Sequence, residues 1–360
     1  MLYNLDFYNG KRVLVTGHNG FKGTWLCEIL KLSGANVMGY SLKPPTIPCL
    51  YDMTGLSNEI SSIFGDIRDL DKLKKLFEEF RPEIVFHLAA QPIVIEGYRN
   101  PIETFETNIM GTVNILECVR QIQSAKSVVN VTTDKVYKNN EWCWGYRENE
   151  PLDGFDPYSN SKSCSELVTH SYNNSFFSHE DISVSTARAG NVIGGGDFAK
   201  NRIIPDCVRA AIERKAIKVR NPNSIRPYQH VLEPLMAYLK IGEMQYKDKK
   251  YQGYYNIGPD ECDCISTGKL VELFCEFWGD GVSWSHYNNT DVPHESNFLK
   301  LDCSKIKSIL GWKPIWHVDE SVRKVCRFSK AWLSGENITN EMDKEIEEYL
   351  RDAKNDRMEK

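Results

Sequence analysis

The stretch RVLVTGHNGFKG, residues 12–23, decides the fold. It opens with the apolar, β-branched run from Arg12 to Thr16, which is typical of a buried strand. Glycines follow at positions 17, 20 and 23, and apolar residues then recur at helical spacing until Gly34. Glycines at such a turn allow backbone N–H groups and the N-terminus of the next helix to approach a pyrophosphate closely. The stretch therefore predicts a strand–turn–helix unit that binds a dinucleotide.

Strand and helix patterns alternate through the first half of the chain. Further strands are predicted over 37–40, 60–64, 84–88, 128–131 and 182–187, and helices over 70–80, 102–123 and 157–177. This alternation predicts an α/β fold of the Rossmann type, a doubly wound parallel sheet covered by helices on both faces. Beyond Arg188 the elements become shorter and mixed, which indicates a smaller, mixed C-terminal substrate domain.

These patterns divide the chain into three parts. Residues 1–188 are predicted to form the dinucleotide-binding domain, joined by returning segments near 229–260. Residues 189–340 are predicted mainly to bind the substrate. Residues 341–360 are so rich in charge that we expect an exposed helix or a frayed end there.

Composition limits the classes of function. A chain of 360 residues with 41% hydrophobic and 26% charged residues is typical of a globular protein of about two domains. The net charge of -5 and the pI near 6.0 speak against a nucleic-acid partner. Eleven cysteines without paired CxxC spacing predict reduced thiols and no metal site. Without a basic leader or an apolar run of about 18 residues, we expect a cytoplasmic protein with no membrane partner.

A second cluster of residues carries groups suited to proton transfer. Thr133, Asp134 and Lys135 follow directly on a predicted strand. Tyr158 and Lys162 stand four positions apart at the start of a predicted helix, so they share one face of it. An ammonium beside a phenol can lower the phenol's pKa from about 10 towards neutrality, which would make Tyr158 a general base. Such a pair also arises by chance on protein surfaces, and the glycine turn upstream is what gives it weight.

Together the glycine turn and the Tyr-x-x-x-Lys pair resemble the extended short-chain dehydrogenase/reductase superfamily and its nucleotide-sugar dehydratases and epimerases. Over about residues 5–335 the chain resembles the CDP-glucose 4,6-dehydratases within that group. The segments that carry the resemblance are GHNGFKGTWL (17–26), TDKVY (133–137), EWCWGYRENEPLDGFDPYSNSK (141–162), ARAGNVIGGGDF (187–198) and RPYQHVLEPL (226–235). Lys135 after Asp134 is the distinguishing pattern, because the similar dTDP-glucose dehydratases carry Asp-Glu and the epimerases need no acid there.

The resemblance implies an internal redox cycle with NAD as cofactor and CDP-glucose as substrate. Tyr158, helped by Lys162 and Thr133, would take the proton of the sugar 4-hydroxyl while hydride leaves C4. Lys135 would remove the C5 proton and Asp134 would protonate the leaving 6-hydroxyl. Hydride would then return to C6 and give CDP-4-keto-6-deoxyglucose, a precursor in deoxysugar and O-antigen synthesis. The resemblance also implies a homo-oligomer, a dimer or a tetramer.

The same resemblance implies where the cofactor lies. Besides Tyr158 and Lys162, the expected cofactor-binding residues are Gly17, Asn19, Gly20, Phe21, Lys22, Gly23, Ser41, Asp66, Ile67, Leu88, Ala89, Ala90 and Asn108. The carboxylate that usually holds the ribose 2′-hydroxyl is missing at the end of the second strand. Lys43 stands nearby and could favour a 2′-phosphate, so NADP stays open beside NAD. His18 is expected to point to solvent, or else to stack near the adenosine.

Nucleotide-sugar binding is expected mainly in the second half of the chain. The residues expected to bind substrate are Gln91, Asn191, Arg202, Arg220, Arg226 and His230. Guanidinium groups suit a diphosphate because their planar forks match its geometry. Two alternatives stay open: another enzyme of this fold, either a nucleotide-sugar 4-epimerase or a dehydratase for another nucleotide, and a non-catalytic sensor of NAD or a nucleotide sugar. The presence of both Tyr158 and Lys162 argues against a sensor.

Overall fold

The structure is a computed structural model that describes residues 5–287 and 297–358. Its strands, in chain order, are β1 (Arg12–Thr16), β2 (Asn36–Ser41), β3 (Ser61–Phe64), β4 (Ile84–His87), β5 (Ser127–Thr132), β6 (Ser183–Ala189), β7 (Val192–Ile193), β8 (Ile217–Val219), β9 (Ile225–Pro227), β10 (Gln229–His230), β11 (Tyr254–Ile257), β12 (Cys264–Ser266) and β13 (Trp284–His286). Its helices are α1 (Phe21–Leu32), α2 (Leu50–Thr54), α3 (Leu70–Phe80), α4 (Val94–Arg99), α5 (Pro101–Phe105), α6 (Gly111–Ile122), α7 (Pro157–Tyr172), α8 (Ile203–Ile212), α9 (Leu232–Lys247), α10 (Thr267–Trp278), α11 (Ser304–Leu310), α12 (Val318–Leu333) and α13 (Ile338–Met358).

Seven strands form one parallel sheet in the order β11-β6-β5-β4-β1-β2-β3. All six residues of β5 are buried, because helices cover this strand on both faces. The strand order reverses between β1 and β4, and ligands of such sheets bind in the crevice at that point. The prediction of a doubly wound Rossmann-type sheet is confirmed.

Two apolar layers cover the sheet. One core lies under α1, α2, α9 and α13 and includes Trp25 and Leu235. The opposite core lies under α3, α6 and α7 and includes Phe77 and Ile115. The predicted helix over 102–123 is observed as α5 and α6 joined by a π-helical turn, Glu106–Met110. The two layers cover the faces of the sheet, and the carboxyl ends of the strands remain accessible at one edge.

Beyond β6 a smaller group of elements packs around its own core. This core joins α8, α10 and α12 with the short strands β8 and β13 and includes Phe274 and Trp278. The two-stranded pairs β9/β12 and β7/β10 complete it. Meanwhile α9 and β11, from the segment 229–260, pack on the main sheet. None of the described helices is long and apolar enough to cross a membrane.

The C-terminal segment corrects an expectation. The chain from 338 to 358 is one helix, α13, and Met342, Ile346, Tyr349 and Ala353 are at most 1% exposed. These positions recur at helical spacing, so an apolar stripe lies beneath the charges that dominate the sequence. The expectation of an exposed helix or frayed end is therefore wrong over the described part of 341–360, and residues 359–360 lie outside the described residues. The high charge of this segment does not reveal, by composition alone, that the helix packs against the core through an apolar stripe.

Candidate active site

A cavity of about 380 Å³ opens at the carboxyl end of β5, between the main sheet and the smaller group of elements. Four of the predicted catalytic residues line it: Thr133, Asp134, Lys135 and Tyr158. The chain reaches this arrangement because β5 ends at Thr132 and a short 3-10 turn, Asp134–Val136, follows. The structure thus brings together two groups that lie more than twenty residues apart in the sequence.

Helix α7 fixes the positions of Tyr158 and Lys162. Asp156 caps the helix by accepting a hydrogen bond from the Ser159 backbone N–H at 3.1 Å, and Pro157 occupies the first turn. Tyr158 therefore projects from the first turn into the cavity. Lys162 is 3% exposed, and its Nζ donates to the Val131 carbonyl at 3.0 Å.

The electrostatics of this pair differ from the sequence-based expectation. Burial raises the pKa of Tyr158 to about 12, although a hydrogen bond with Thr133 opposes the rise. Burial likewise lowers the pKa of Lys162 to about 8, against the attraction of Glu166. The pKa of Tyr158 is thus raised, whereas the sequence-based expectation was a lowering by Lys162. Desolvation dominates, and the ammonium is directed at a backbone carbonyl instead of the phenol.

Asp134 is held in place on both carboxylate oxygens. It is 1% exposed; the Thr133 hydroxyl donates to Oδ1 at 3.0 Å and the Asn191 amide donates to Oδ2 at 3.2 Å. Gly190 makes room for the carboxylate, since a Cβ at that position would lie 1.9 Å from Oδ2. Asn191, predicted to bind substrate, therefore lines the cavity and also orients Asp134.

A buried ion pair behind the cavity was not predicted from the sequence. The Arg188 fork donates to both carboxylate oxygens of Glu166 at 2.9 and 3.0 Å, and both residues are at most 2% exposed. The hydroxyls of Thr132 and Thr186 also donate to Glu166, so the pair ties β5 and β6 to α7. Arg188 donates further to the Tyr137 hydroxyl at 2.7 Å. An arginine at the end of an apolar strand was the signal, because such a charge needs a buried partner.

The glycine turn between β1 and α1 fits a pyrophosphate. Gly17 has φ 72°, and a Cβ there would lie 2.8 Å from the Ala89 backbone nitrogen. A Cβ on Gly23 would lie 2.1 Å from the Gly17 carbonyl oxygen. Gly20 is the N-cap of α1 and provides no side-chain cap, so the first N–H groups of the helix face the turn without a side-chain acceptor. These residues suit the dinucleotide that the sequence predicts.

Lys22 adds a positive charge at the junction of this turn and the cavity. It lines the cavity together with Phe21, both predicted as cofactor residues. Burial, together with the neighbouring charges of Arg202 and Lys162, lowers the pKa of Lys22 to about 7, whereas Asp134 opposes the lowering. A lysine with this pKa can hold or release its proton near neutrality.

His18 does not point to solvent, which corrects the expectation. Its ring is 0% exposed and lies 3.0 Å from the Ser41 hydroxyl through Nδ1 and 2.7 Å from the Ser62 hydroxyl through Nε2. The ring fills the space above Gly39, where a Cβ would lie 2.3 Å from it. Burial lowers the pKa of His18 to about 4, so the ring is neutral at neutral pH. Ser41, predicted to bind cofactor, is occupied by this histidine and by the Leu42 carbonyl.

Three predicted ligand-binding side chains are occupied by the protein itself. Asn19 donates to the Leu42 carbonyl at 2.7 Å. Asn108 is 1% exposed; its side-chain oxygen accepts a hydrogen bond from the Gln91 backbone N–H, and its side-chain amide donates one to the Gln91 carbonyl. The Gln91 side chain in turn bonds Thr104 and the Ile93 N–H, and it is absent from the described cavity lining. Asn108 and Gln91 therefore brace the segment after β4.

The other predicted cofactor positions lie along the ends of the neighbouring strands. Asp66 forms a bidentate pair with Arg68, which holds the pKa of that carboxyl below its ordinary value. Ile67 is buried against Gly111. The segment of Leu88, Ala89 and Ala90, after β4, is partly exposed beside the glycine turn.

The predicted phosphate-binding arginines converge on the cavity. Arg202, Arg220 and Arg226 all line it, and Arg202 donates to the Asp197 carboxylate at 3.1 Å. These residues come from the start of α8, from the segment after β8 and from β9. Their convergence supplies a positive wall to the cavity that also holds the candidate catalytic residues.

His230 is placed elsewhere, which corrects its expected contact with substrate. It is 0% exposed, and its Nε2 lies 2.8 Å from the buried Glu345 carboxylate of α13. Its Nδ1 accepts a hydrogen bond from the Leu232 N–H at 3.3 Å. A ring with no accessible surface cannot contact a ligand in the cavity, so His230 connects α13 to β10 instead.

Comparison with known proteins agrees with this geometry. A family profile described as GDP-mannose 4,6 dehydratase matches residues 14–325. The protein belongs to this family. Among its relatives, the chain is similar to the CDP-glucose 4,6-dehydratase of Salmonella typhimurium strain LT2, with 47% identity over 351 residues, 96% of this chain and 98% of the relative. A probable dTDP-glucose 4,6-dehydratase of Sinorhizobium fredii is 28% identical over 331 residues, 87% of this chain and 91% of the relative.

Solved structures show the fold of this dehydratase family member. A dTDP-glucose 4,6-dehydratase from Bacillus anthracis, solved with NAD, has a TM-score of 0.77 at 19% identity and covers 92% of this chain and 100% of its own. A UDP-glucose 4-epimerase from Thermotoga maritima, solved with UDP-glucose, has a TM-score of 0.78 at 21% identity and covers 89% and 99%. Dehydratases and epimerases thus share the fold, and only the residues in the cavity can separate them.

Proposed function

We propose that this protein is an NAD-dependent CDP-glucose 4,6-dehydratase. The observation that carries the proposal is the Asp134–Lys135 pair, which lines the same cavity as Tyr158. The near full-length identity of 47% to a CDP-glucose 4,6-dehydratase supports it. A 4-epimerase moves hydride at C4 alone, whereas a 4,6-dehydratase also needs an acid and a base for the loss of water. This cavity holds candidates for both.

The first stage is oxidation at C4. The glycine turn between β1 and α1 would hold NAD, which would supply the hydride acceptor and later the hydride donor. Tyr158 removes the proton of the 4-hydroxyl, and Thr133 contacts both Tyr158 and Asp134, which keeps these groups in register. Lys162 lies one helical turn from Tyr158 and donates to the Val131 carbonyl, which holds its amine at the base of the cavity wall formed by α7 and β5.

The second stage is elimination. A ketone at C4 acidifies the C5 proton, and Lys135 removes it. Asp134, oriented by Asn191 and Thr133, delivers a proton to the leaving 6-hydroxyl. Hydride return to C6 completes CDP-4-keto-6-deoxyglucose. This cytoplasmic product would feed deoxysugar synthesis, including that of O-antigens.

The diphosphate of the substrate binds the positive wall of the cavity. Arg202, Arg220 and Arg226 offer guanidinium groups that match phosphate oxygens. We favour NAD over NADP because Lys43 is exposed and the solved dehydratase relative was found with NAD. An added 2′-phosphate would gain little from a solvated lysine.

The active protein is a homo-oligomer in this proposal. Large apolar side chains are exposed on helices that pack side by side: Ile102 on α5 is 74% exposed and Leu167 on α7 is 56% exposed. Met110, at the start of α6, is 48% exposed on the same group of helices. Exposed apolar side chains that cluster in this way are typical of an interface between protein copies.

A product assay tests the proposed function. The protein is incubated with CDP-, dTDP-, GDP- and UDP-glucose, each with and without added NAD, and the products are separated by chromatography that resolves sugar epimers and are then weighed by mass spectrometry. CDP-glucose should lose one water, and the product should show the base-induced absorbance of a 4-keto sugar. CDP-galactose as the product would make the protein an epimerase, and faster turnover of another nucleotide would overturn the substrate assignment.

A further inference from the structure

Among the carboxylates that line the cavity and have no part in the proposed chemistry, only one is largely accessible in the described lining. The described lining contains four: Asp134, Asp156, Asp197 and Asp206. Asp134 orients towards Thr133 and Asn191, and Asp156 caps α7. The Asp197 side chain is 5% exposed and holds Arg202, whereas the Asp206 side chain is 42% exposed.

Asp206 lies on the wall that carries the arginines. It sits in the first turn of α8, four residues after Arg202, and α8 packs on β8, which leads to Arg220. Its Oδ1 accepts a hydrogen bond from Arg209, three residues along the helix. Arg209 also donates to the Phe198 and Ala199 carbonyls at 3.2 and 3.1 Å, so it is anchored outside the cavity wall. Asp206 is therefore fixed in orientation while its carboxylate stays accessible from the cavity.

A carboxylate on this wall cannot serve the diphosphate, because like charges repel and the guanidinium groups already suit the phosphates. Its partly exposed carboxylate suits a hydrogen-bond donor of the nucleotide instead. The exocyclic N4 amino group of cytosine is such a donor, and aspartate or glutamate is its usual partner in protein contacts with bases. Uracil and thymine carry an O4 acceptor at the same place, which a carboxylate would repel.

We propose that Asp206 recognises the cytosine of the substrate by accepting a hydrogen bond from its N4 amino group. The inference rests on the proposed function and names the residue that selects cytidine over uridine and thymidine nucleotides. A site that offers a carboxylate to a particular donor disfavours an analogue that presents an acceptor at the same place, because no hydrogen bond forms and the two acceptors repel. Ribose hydroxyls are also donors, but a contact with ribose would strengthen all nucleotides equally.

The test measures binding of CDP and UDP by calorimetry, which needs no turnover. Wild type should bind CDP more tightly than UDP. Asp206→Ala should weaken CDP binding by about ten- to a hundredfold, the loss expected for one specific base contact, while UDP binding changes by less than about threefold. Asp206→Asn keeps the size of the side chain and should lower the CDP-to-UDP preference in the same direction. Thermal unfolding confirms that each variant is folded.

Glu213→Gln is the matched control. Glu213 is the C-cap residue of the same helix, pairs with Lys215 and is absent from the described cavity lining, so both affinities should stay unchanged. Equal losses for CDP and UDP in Asp206→Ala would assign Asp206 to the ribose and overturn the inference, as would unchanged affinities. A wild type that binds UDP as tightly as CDP would instead overturn the proposed substrate.

Discussion

At the scale of single residues, the proposed redox step and the proposed elimination step rely on different side chains that line the same cavity. Tyr158 projects from the first turn of α7, whereas Asp134 and Lys135 belong to the turn after β5. Thr133 lies between them and contacts both Tyr158 and Asp134. We therefore expect that substitutions of different residues disable the redox stage and the elimination stage separately.

Tyr158→Phe should lower kcat by about a hundredfold or more, because it deletes only the hydroxyl that accepts the first proton. The fold should persist, since the ring remains in place. Product formation and thermal unfolding are measured together. Tyr98→Phe, at an exposed position on α4, is the control and should turn over normally. Normal turnover in Tyr158→Phe would remove this residue from the mechanism.

Lys135→Met and Asp134→Asn should stall the enzyme after oxidation. Each keeps the size of its side chain but loses the group that transfers a proton, so CDP-glucose should still reduce the cofactor while little product is released. Stopped-flow absorbance of NADH and mass analysis of the products measure the two stages. Loss of both stages in a folded variant would show instead that the pair positions the substrate. Product at the wild-type rate would refute the assignment.

Sequence reasoning succeeded for residues whose partners are near in the chain and failed for buried polar residues with distant partners. The Tyr158–Lys162 spacing follows from the helix period alone. His18 is buried with its Nε2 hydrogen-bonded to the Ser62 hydroxyl, and His230 is buried against the Glu345 carboxylate. Nothing in the local sequence of either histidine indicates those partners.

At the scale of elements, α13 behaves as part of the core. Its apolar stripe packs against α1, α2 and α12, and the Tyr349 hydroxyl donates to Glu233 at 2.6 Å. Helices and strands with clear periodicity were predicted well. The pairings β8/β13 and β9/β12 were not, because short strands with long intervening segments carry little periodic signal.

Ile346→Ala should lower the free energy of unfolding by about 2–5 kcal/mol, because it leaves a cavity in a core that closes around this side chain. Glu347→Ala changes the exposed neighbour and should alter stability by less than about 0.5 kcal/mol. Urea unfolding of the two variants gives the comparison. Equal, small effects would mean that α13 is only loosely docked.

Glu233 should make stability depend on pH. Burial raises its pKa to about 7, against hydrogen bonds from the Trp316 and Ile315 backbone and from Tyr349. Between about pH 5 and 7 the folded chain then retains a proton that the unfolded chain has released, so stability falls as pH rises through about 7 and levels off above it. The free energy of unfolding should be about 1 kcal/mol lower at pH 8 than at pH 6 from this group.

Glu233→Gln is the variant that isolates the group. It keeps an oxygen acceptor for the Ile315 and Trp316 N–H groups and places an amide NH2, which can donate to the Tyr349 hydroxyl oxygen, where the second carboxylate oxygen stood. The variant has no titrating proton at this position, so the difference between pH 6 and pH 8 should shrink by that amount. Urea unfolding at both pH values measures it. An unchanged pH dependence would mean that the carboxylate is stabilised by its three donors at neutral pH.

At the scale of the whole molecule, the alternation of strands and helices was enough to predict the parallel sheet. It also predicted that the candidate catalytic residues lie at the carboxyl edge of that sheet. Self-association is a different problem, because an interface between copies leaves no periodic signal of its own. In this protein, the evidence for an interface between copies is that large apolar side chains on α5 and α7 are exposed. Ile102 and Leu167 are more exposed than core-forming residues of their size usually are.

Leu167→Glu should convert the assembly to monomers, because it places a charge in an apolar interface at both copies of a symmetric contact. Sedimentation velocity at micromolar concentration should show a shift from the wild-type oligomer to a species near 41.3 kDa. Ile309→Glu changes an apolar side chain of similar exposure, 44%, on α11, away from the three helices, and should leave the oligomer intact. If Leu167→Glu sediments as wild type while remaining folded, the interface lies on another surface; if wild type is itself monomeric, the proposed assembly is wrong.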